Sequence, residues 1–257
     1  MNANTRPGQS VDLLATRSQA LRRALMVDLR LNGDRFAGTL VSCGLCLILA
    51  AVLSDAFADL LLLWAVLAWY RYGRADTVER DELRASLGMS RADRTRGRVA
   101  LIALETLVIL LTTGVATLIA GALGDGSDLT GSAASVAIPP WFAVVLEATI
   151  ATLSSAAMLL LTGIWVGGDC LTRRPGRSMA VLSVLVYLLA VLLGAFVFSL
   201  PLMVLSRIDA PVILSSLMAP LGLLVVVVLL ALLLRARMHA WTRQLDSGFR
   251  QRFEPLA

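Results

Sequence analysis

Hydrophobic residues in this chain are gathered into six long runs instead of recurring at the spacing of a soluble helix or strand. The runs cover residues 36–53, 56–72, 99–121, 141–166, 179–200 and 213–234, and nearly all the charge falls between them. Each is 17 to 26 residues long, against the ~20 that a helix rising ~1.5 Å per residue needs to cross a bilayer core of about 30 Å. The pattern predicts an all-α, polytopic membrane protein with six transmembrane helices.

Before the first run the period changes. Over residues 10–32, Val11, Leu14, Leu21, Leu25 and Leu29 share one arc at 100° per residue, while Arg23 and Arg30 fall elsewhere and Arg22 borders the stripe. This predicts an amphipathic helix lying on the membrane interface, with Asn32-Gly33 as a break before the first span. Spans one and two have only Ser54-Asp55-Ala56 between them and form a tight hairpin. Trp69, Tyr70 and Tyr72 suit an inner aromatic belt. The Gly- and Asp-rich stretch 121–140 reads as an outer connection that ends at Pro139-Pro140-Trp141, where proline is tolerated in a first turn. Pro201, Arg207, Asp209, Pro211 and Pro220 suggest that 201–220 dips back into the membrane as short broken helices, a candidate outer gate. Trp241, Phe249 and Phe253, set among arginines, should lie on the inner surface.

Charge orients the bundle. With alternating sides, 22 of the 23 basic residues fall on one side and only Arg207 on the other. Because basic residues are retained in the cytoplasm, both termini are expected there, in a multi-pass protein of the inner (plasma) membrane. Asp55, Asp59, Asp125, Asp128 and Asp209 then face outward. A single membrane domain is expected over 1–257, with a cytoplasmic segment 1–35, a bundle 36–234 and a cytoplasmic tail 235–257. At 58% hydrophobic residues and a mean hydropathy of +0.79, little polar sequence is left for a second domain. Residues 1–35 show no apolar centre or small-residue cleavage pattern, so no secretory signal is expected. The net charge of +5 sits at span ends, where arginines meet anionic lipid, so the bilayer and not nucleic acid is the expected partner. Every basic residue is Arg. Without Lys the chain has no standard phosphate-binding P-loop, and any ATP that drives it must be bound by another subunit.

The only long cytoplasmic connection runs from Tyr72 to Arg98. Helix formers from Glu79 to Leu87 predict a short helix, ended by Gly88, with Ser90 capping a second helix that enters span three. This helix would present Glu82, Leu87 and Met89 to whatever lies below. The run Glu82-Leu83-Arg84-Ala85-Ser86-Leu87-Gly88-Met89-Ser90-Arg91, followed by Arg96-Gly97-Arg98, resembles the coupling segment of ABC type-2 transporter permeases. The six-span layout resembles that family too. Gly88 stands where the family commonly has Pro, and the segment is also similar to the coupling loop of FtsX-like ABC permeases, whose large extracellular domain this chain lacks. The resemblance implies a non-catalytic permease, an exporter, working with a second permease copy or paralogue and with a separate ATPase subunit that carries ATP and Mg. It implies that Glu82, Leu87, Met89, Ser90 and Arg91 contact that subunit.

Two carboxylates fall inside spans: Glu105 in span three and Glu147 in span four. Buried ionisable groups in lipid suggest a substrate cavity or proton movement, or else bonding to a neighbouring helix. Cys43-Gly-Leu-Cys46 has metal-ligand spacing but sits mid-span with no second pair and reads as core packing. His239, the one histidine, reads as a surface residue, and no Ser-His-Asp set can be built around it. Gly163 and Gly167 read as a close-packing pair. Two other function classes stay open: a proton-coupled secondary transporter using Glu105 and Glu147, and a non-transporting scaffold or immunity protein.

Overall fold

Helix accounts for every regular element in the computed structural model, which describes the backbone of residues 7–52, 56–123, 139–172, 175–207 and 212–253, and side chains over 18–52, 60–77, 79–123, 139, 141–172, 175–194 and 218–242. In chain order these are α1 (Pro7–Leu31), α2 (Gly33–Val52), α3 (Ala56–Val66), α4 (Ala68–Ala75), α5 (Val78–Ser86), α6 (Arg91–Leu123), α7 (Pro140–Thr172), α8 (Arg177–Arg207) and α9 (Val212–Phe253). The break expected at Asn32-Gly33 is a turn at Asn32 alone. Hydrogen bonds continue across it, from Asn32 N–H to Asp28 C=O and from Phe36 N–H to Asn32 C=O, both 3.1 Å.

Among the described residues, five helices, α2, α6, α7, α8 and α9, contain stretches long and apolar enough to cross a membrane. The second expected crossing is instead divided into α3 and α4 by a turn at Leu67. Here too the ladder carries on, through Leu67 N–H to Leu63 C=O at 3.1 Å and Arg71 N–H to Leu67 C=O at 2.9 Å. The tight turn between α2 and α3, the connection expected over 121–140 apart from its ends, and Asp55, Asp125, Asp128 and Asp209 lie outside the described residues, as do the side chains of Asp59, Arg207, Phe249 and Phe253.

Burial shows which helix is central. Half of the most apolar stretch of α6 is buried, against 6% for α9. Helix α6 packs on α1, α2, α3, α4, α7 and α9, and α7 packs on α9, α8 and α4. One core cluster joins Cys43, Leu61, Val66, Ile109, Leu159 and Tyr187. A second joins Ala68, Trp69, Tyr72, Ile102, Leu171 and Trp241. Outward faces stay apolar: Ile48 on α2, Leu192 on α8 and Leu229 on α9 are each at least 60% exposed, a surface suited to lipid. Threonine hydroxyls on the long helices return to the carbonyl one turn back, as Thr152 does to Ala148 and Thr162 to Met158, so they leave no unbonded group in an apolar setting.

Three expectations change. Trp241 is not a surface residue of the tail. Helix α9 runs unbroken to Phe253 and turns Trp241, 2% exposed, against Trp69, with ring centroids 6.0 Å apart and planes at 76°. Trp69 and Tyr72 are likewise buried and only Tyr70 remains partly open, because α7 offers glycines in place of side chains. A Cβ at Gly163 would come within 2.8 Å of Trp69, and one at Gly167 within 2.9 Å of Trp69 and 3.0 Å of Trp241, so the packing expected of this pair is observed. Broken helices over 201–220 are not observed either: α8 continues through Pro201 to Arg207, and α9 passes through Pro220, with only 208–211 outside the described residues. A transmembrane helix tolerates such a proline where neighbouring groups re-satisfy its backbone.

Candidate functional site

Local signals build the segment before α6. Thr77 caps α5, its side chain accepting from Arg80 N–H at 3.4 Å, and Glu79 and Asp81 sit in the first turn where the helix dipole favours them. At the other end Gly88 N–H donates to Ala85 C=O at 2.9 Å and Met89 N–H to Arg84 C=O at 3.3 Å, the paired bonds of a Schellman ending. Gly88 has φ +70°, where a Cβ is opposed sterically. Proline, fixed near −65°, cannot take this conformation, which accounts for its absence here. Gly88→Ala is expected to destabilise the fold by about 1–2 kcal/mol, read from the unfolding midpoint in detergent, and Gly88→Pro by more. Ser90 then caps α6, accepting from Asp93 N–H at 3.2 Å and donating to Asp93 Oδ2 at 2.5 Å.

Beneath α5 lies a buried cluster of charge. Arg84, 2% exposed, donates from Nε and Nη2 to Asp28 Oδ1 of α1 at 2.8 and 2.5 Å, and from Nη1 to Asp76 Oδ1 at 2.6 Å. Asp81 accepts from Arg94 at 2.8 Å and from Arg98 at 3.0 Å, both on α6, and Arg98 also pairs with Asp76. Three carboxylates thus face three guanidinium groups, so the cluster is balanced. Burial pushes the Asp28 carboxyl above the usual carboxylate range, with Arg84 and Arg98 opposing it. Burial also works against the Arg84 charge, but Asp76 and Asp28 together outweigh it and raise its pKa. Helix α1 can approach this closely because Gly97 of α6 has no side chain: a Cβ there would lie 2.6 Å from Asp28 Oδ2 and 3.0 Å from the Ala24 carbonyl.

The side chains of Val11 and Leu14 lie outside the described residues; over the rest of α1 the buried line is rotated from the expected stripe. Ala24, Asp28 and Asn32 are its buried line against α6, Leu25 and Leu29 pack only partly, and Leu21 is 41% exposed. Two further bonds draw these segments together, from Arg80 of α5 to Asn32 Oδ1 in the turn after α1 at 3.1 Å and from Arg23 of α1 to the C=O of Leu87, just past α5, at 3.1 Å.

Of the residues expected to meet a partner, Glu82, Leu87, Ser90 and Arg91 are exposed on this surface, joined by Leu83. Met89 is turned inward, 8% exposed. Glu105 is fully buried in a closed circuit of side chains. Trp64 Nε1 donates to Thr39 Oγ1 at 3.0 Å, Thr39 donates to Glu105 Oε1 at 2.6 Å, Arg71 pairs with the same oxygen at 2.5 Å, and the Arg71 guanidinium lies 3.9 Å over the Trp64 ring. The Glu105 carboxylate is therefore bonded to neighbouring helices α2 and α4. Glu147, half-buried on α7, makes no ion pair among the described residues. Cys43 and Cys46 are buried free thiols within the first core cluster, and His239 is exposed.

Sequence reasoning passed over Asp28, Asp76, Asp81, Arg94 and Arg71. One usable signal was the four-residue spacing of Arg94 and Arg98, which puts two cations on one face of α6 opposite Asp81. Comparison with family models, with curated proteins and with solved structures finds no match for this chain.

Proposed function

We propose that the chain is the membrane-spanning permease subunit of an ABC-type exporter, working as a pair of permease copies with a separate ATPase subunit that binds ATP and Mg. In this reading the protein crosses the inner membrane six times with both termini in the cytoplasm, α3 and α4 together forming the second crossing, and α5 receives the ATPase. The observation that carries it is the two-sided character of α5. One side is fastened through Arg84 and Asp81 to α1 and α6; the other presents Glu82, Leu83 and Leu87. A helix fastened this way passes any displacement to α1 and α6 as one body, which is what a coupling helix requires. Met89 contributes through packing and Ser90 through capping α6, leaving Glu82, Leu87 and Arg91 as the contacts. The paired state of Glu105 gives the proton-coupled alternative no support beyond its position.

The native complex, purified from membranes, is expected to hydrolyse ATP. Glu82→Arg is expected to lower that activity about tenfold, towards the lower end of the range for coupling between sites, at an unchanged unfolding temperature. A native complex with no nucleotide-binding chain, or full activity in the variant, rules the assignment out.

A further inference from the structure

Helices α2, α3 and α4 line an open cleft of about 550 Å³ that the coupling segment does not use. Its walls carry Arg35, Arg71 and Arg74 with Trp64 and Tyr70, and Asp34 is the one carboxylate among them. Such a volume falls within the 300 to 1,000 Å³ usual for small-molecule sites. Arg71 is already answered from behind by Glu105, so the remaining lining groups leave one positive charge in excess. Arg74 is held in place by a 2.6 Å bond to the Tyr70 hydroxyl.

Two features set the class of occupant. The first is depth. Asp34 and Arg35 immediately precede the apolar run 36–53, and Arg71 and Arg74 close the run 56–72, so the cleft lies where hydrocarbon gives way to headgroups, whichever leaflet that is. The second is continuity. A groove of about 230 Å³, lined by Leu45, Leu49, Leu60 and Leu61, runs along α2 and α3 and shares Trp64 as a common wall with the cleft. A polar, singly positive compartment adjoining an apolar one matches an amphiphile with a monoanionic head. We infer that this is a binding site for one anionic phospholipid, its phosphodiester between Arg35 and Arg74 and an acyl chain against Leu45 and Leu60. The inference is independent of the transporter assignment.

The test is native mass spectrometry of the delipidated full-length protein, titrated with phosphatidylglycerol and with phosphatidylcholine of the same chains. One phosphatidylglycerol is expected to bind at least about fivefold more tightly than phosphatidylcholine, and Arg35→Ala or Arg74→Ala to weaken it about fivefold each, the usual effect of one basic residue on an anionic lipid. Arg71 is left in place because Glu105 depends on it. Gly38 lines the cleft, and nothing lies within 4 Å of where its Cβ would be. Gly38→Leu therefore brings a side chain into the cleft with no clash at its Cβ, improves helix propensity and is expected to abolish selective binding by obstructing the space between Arg35 and Arg74. Arg96→Ala, which removes an exposed charge elsewhere, is expected to change nothing. Equal binding of the two lipids, an equal loss in Arg96→Ala, or retained selectivity in Gly38→Leu overturns the site. Displacement of the lipid by inorganic phosphate or glycerophosphoglycerol at matching concentration overturns its assignment to lipid in favour of a free anion.

Discussion

Arg84→Met is expected to destabilise the protein by about 3–5 kcal/mol, the cost of removing one member of a buried ion cluster and leaving the others charged. The side chain is 2% exposed and serves Asp28 and Asp76 simultaneously. Its loss takes from Asp28 on α1 the guanidinium that bonds it, and from Asp76 at the entry to α5 one of two, Arg98 remaining. Arg84→Lys should recover only part of the loss, because a single ammonium cannot reproduce a planar fork that donates to Asp28 through Nε and Nη2 and to Asp76 through Nη1. Urea or thermal unfolding in detergent gives the figure. A change within about 0.5 kcal/mol of wild type, the range of ordinary surface substitutions, would mean that α5 is not fastened as described.

A comparable loss is expected from Arg71→Met or Glu105→Leu alone, about 3–5 kcal/mol each, with most of it recovered in the double variant. The asymmetry follows from desolvation: Arg71→Met leaves the fully buried Glu105 without its counter-ion and Glu105→Leu leaves the largely buried Arg71 without its own, whereas the double change replaces both by apolar groups. Arg71 additionally loses its stacking on Trp64, worth about 0.5–1 kcal/mol at a partly exposed site, so its single variant should be the worse of the two. Unfolding midpoints of the four proteins form the cycle that measures the pair. If the double variant is as unstable as the worse single, the pairing of Arg71 with Glu105 is not what holds α4 to α6. The same set separates structure from transport. A double variant that regains stability but not activity assigns Glu105 a working role beyond its bond to Arg71.

Most of the helical layout could be read directly because lipid imposes a length on apolar runs. Thr77 apart, the ends of the short elements were also legible, since Gly88 and Ser90 act within one turn of themselves. The candidate site was harder. Asp28 and Arg84 are 56 residues apart, and Arg71 and Glu105 are 34 apart. Nothing in the charge pattern of a polar loop distinguishes an aspartate that faces water from one that meets an arginine of another helix. Arg98 looked like an interfacial anchor at the mouth of a span, yet Asp76 and Asp81 turn it inward. The stripe on α1 misled for a related reason. Leucine positions gave the most hydrophobic face, but the small residues Ala24 and Gly97 decide which face another helix can approach.

Helix α6 begins at Arg91, one turn past the fastened loop, and runs without interruption to Leu123. Thirty-three residues make a rod of about 50 Å, well beyond the ~30 Å that crossing a bilayer core requires. A rod of that span is a lever: a tilt of about 3° at its base sweeps the far tip through roughly 2.5 Å. Under the proposed coupling role, a small stroke delivered beside Arg91 arrives magnified at Leu123.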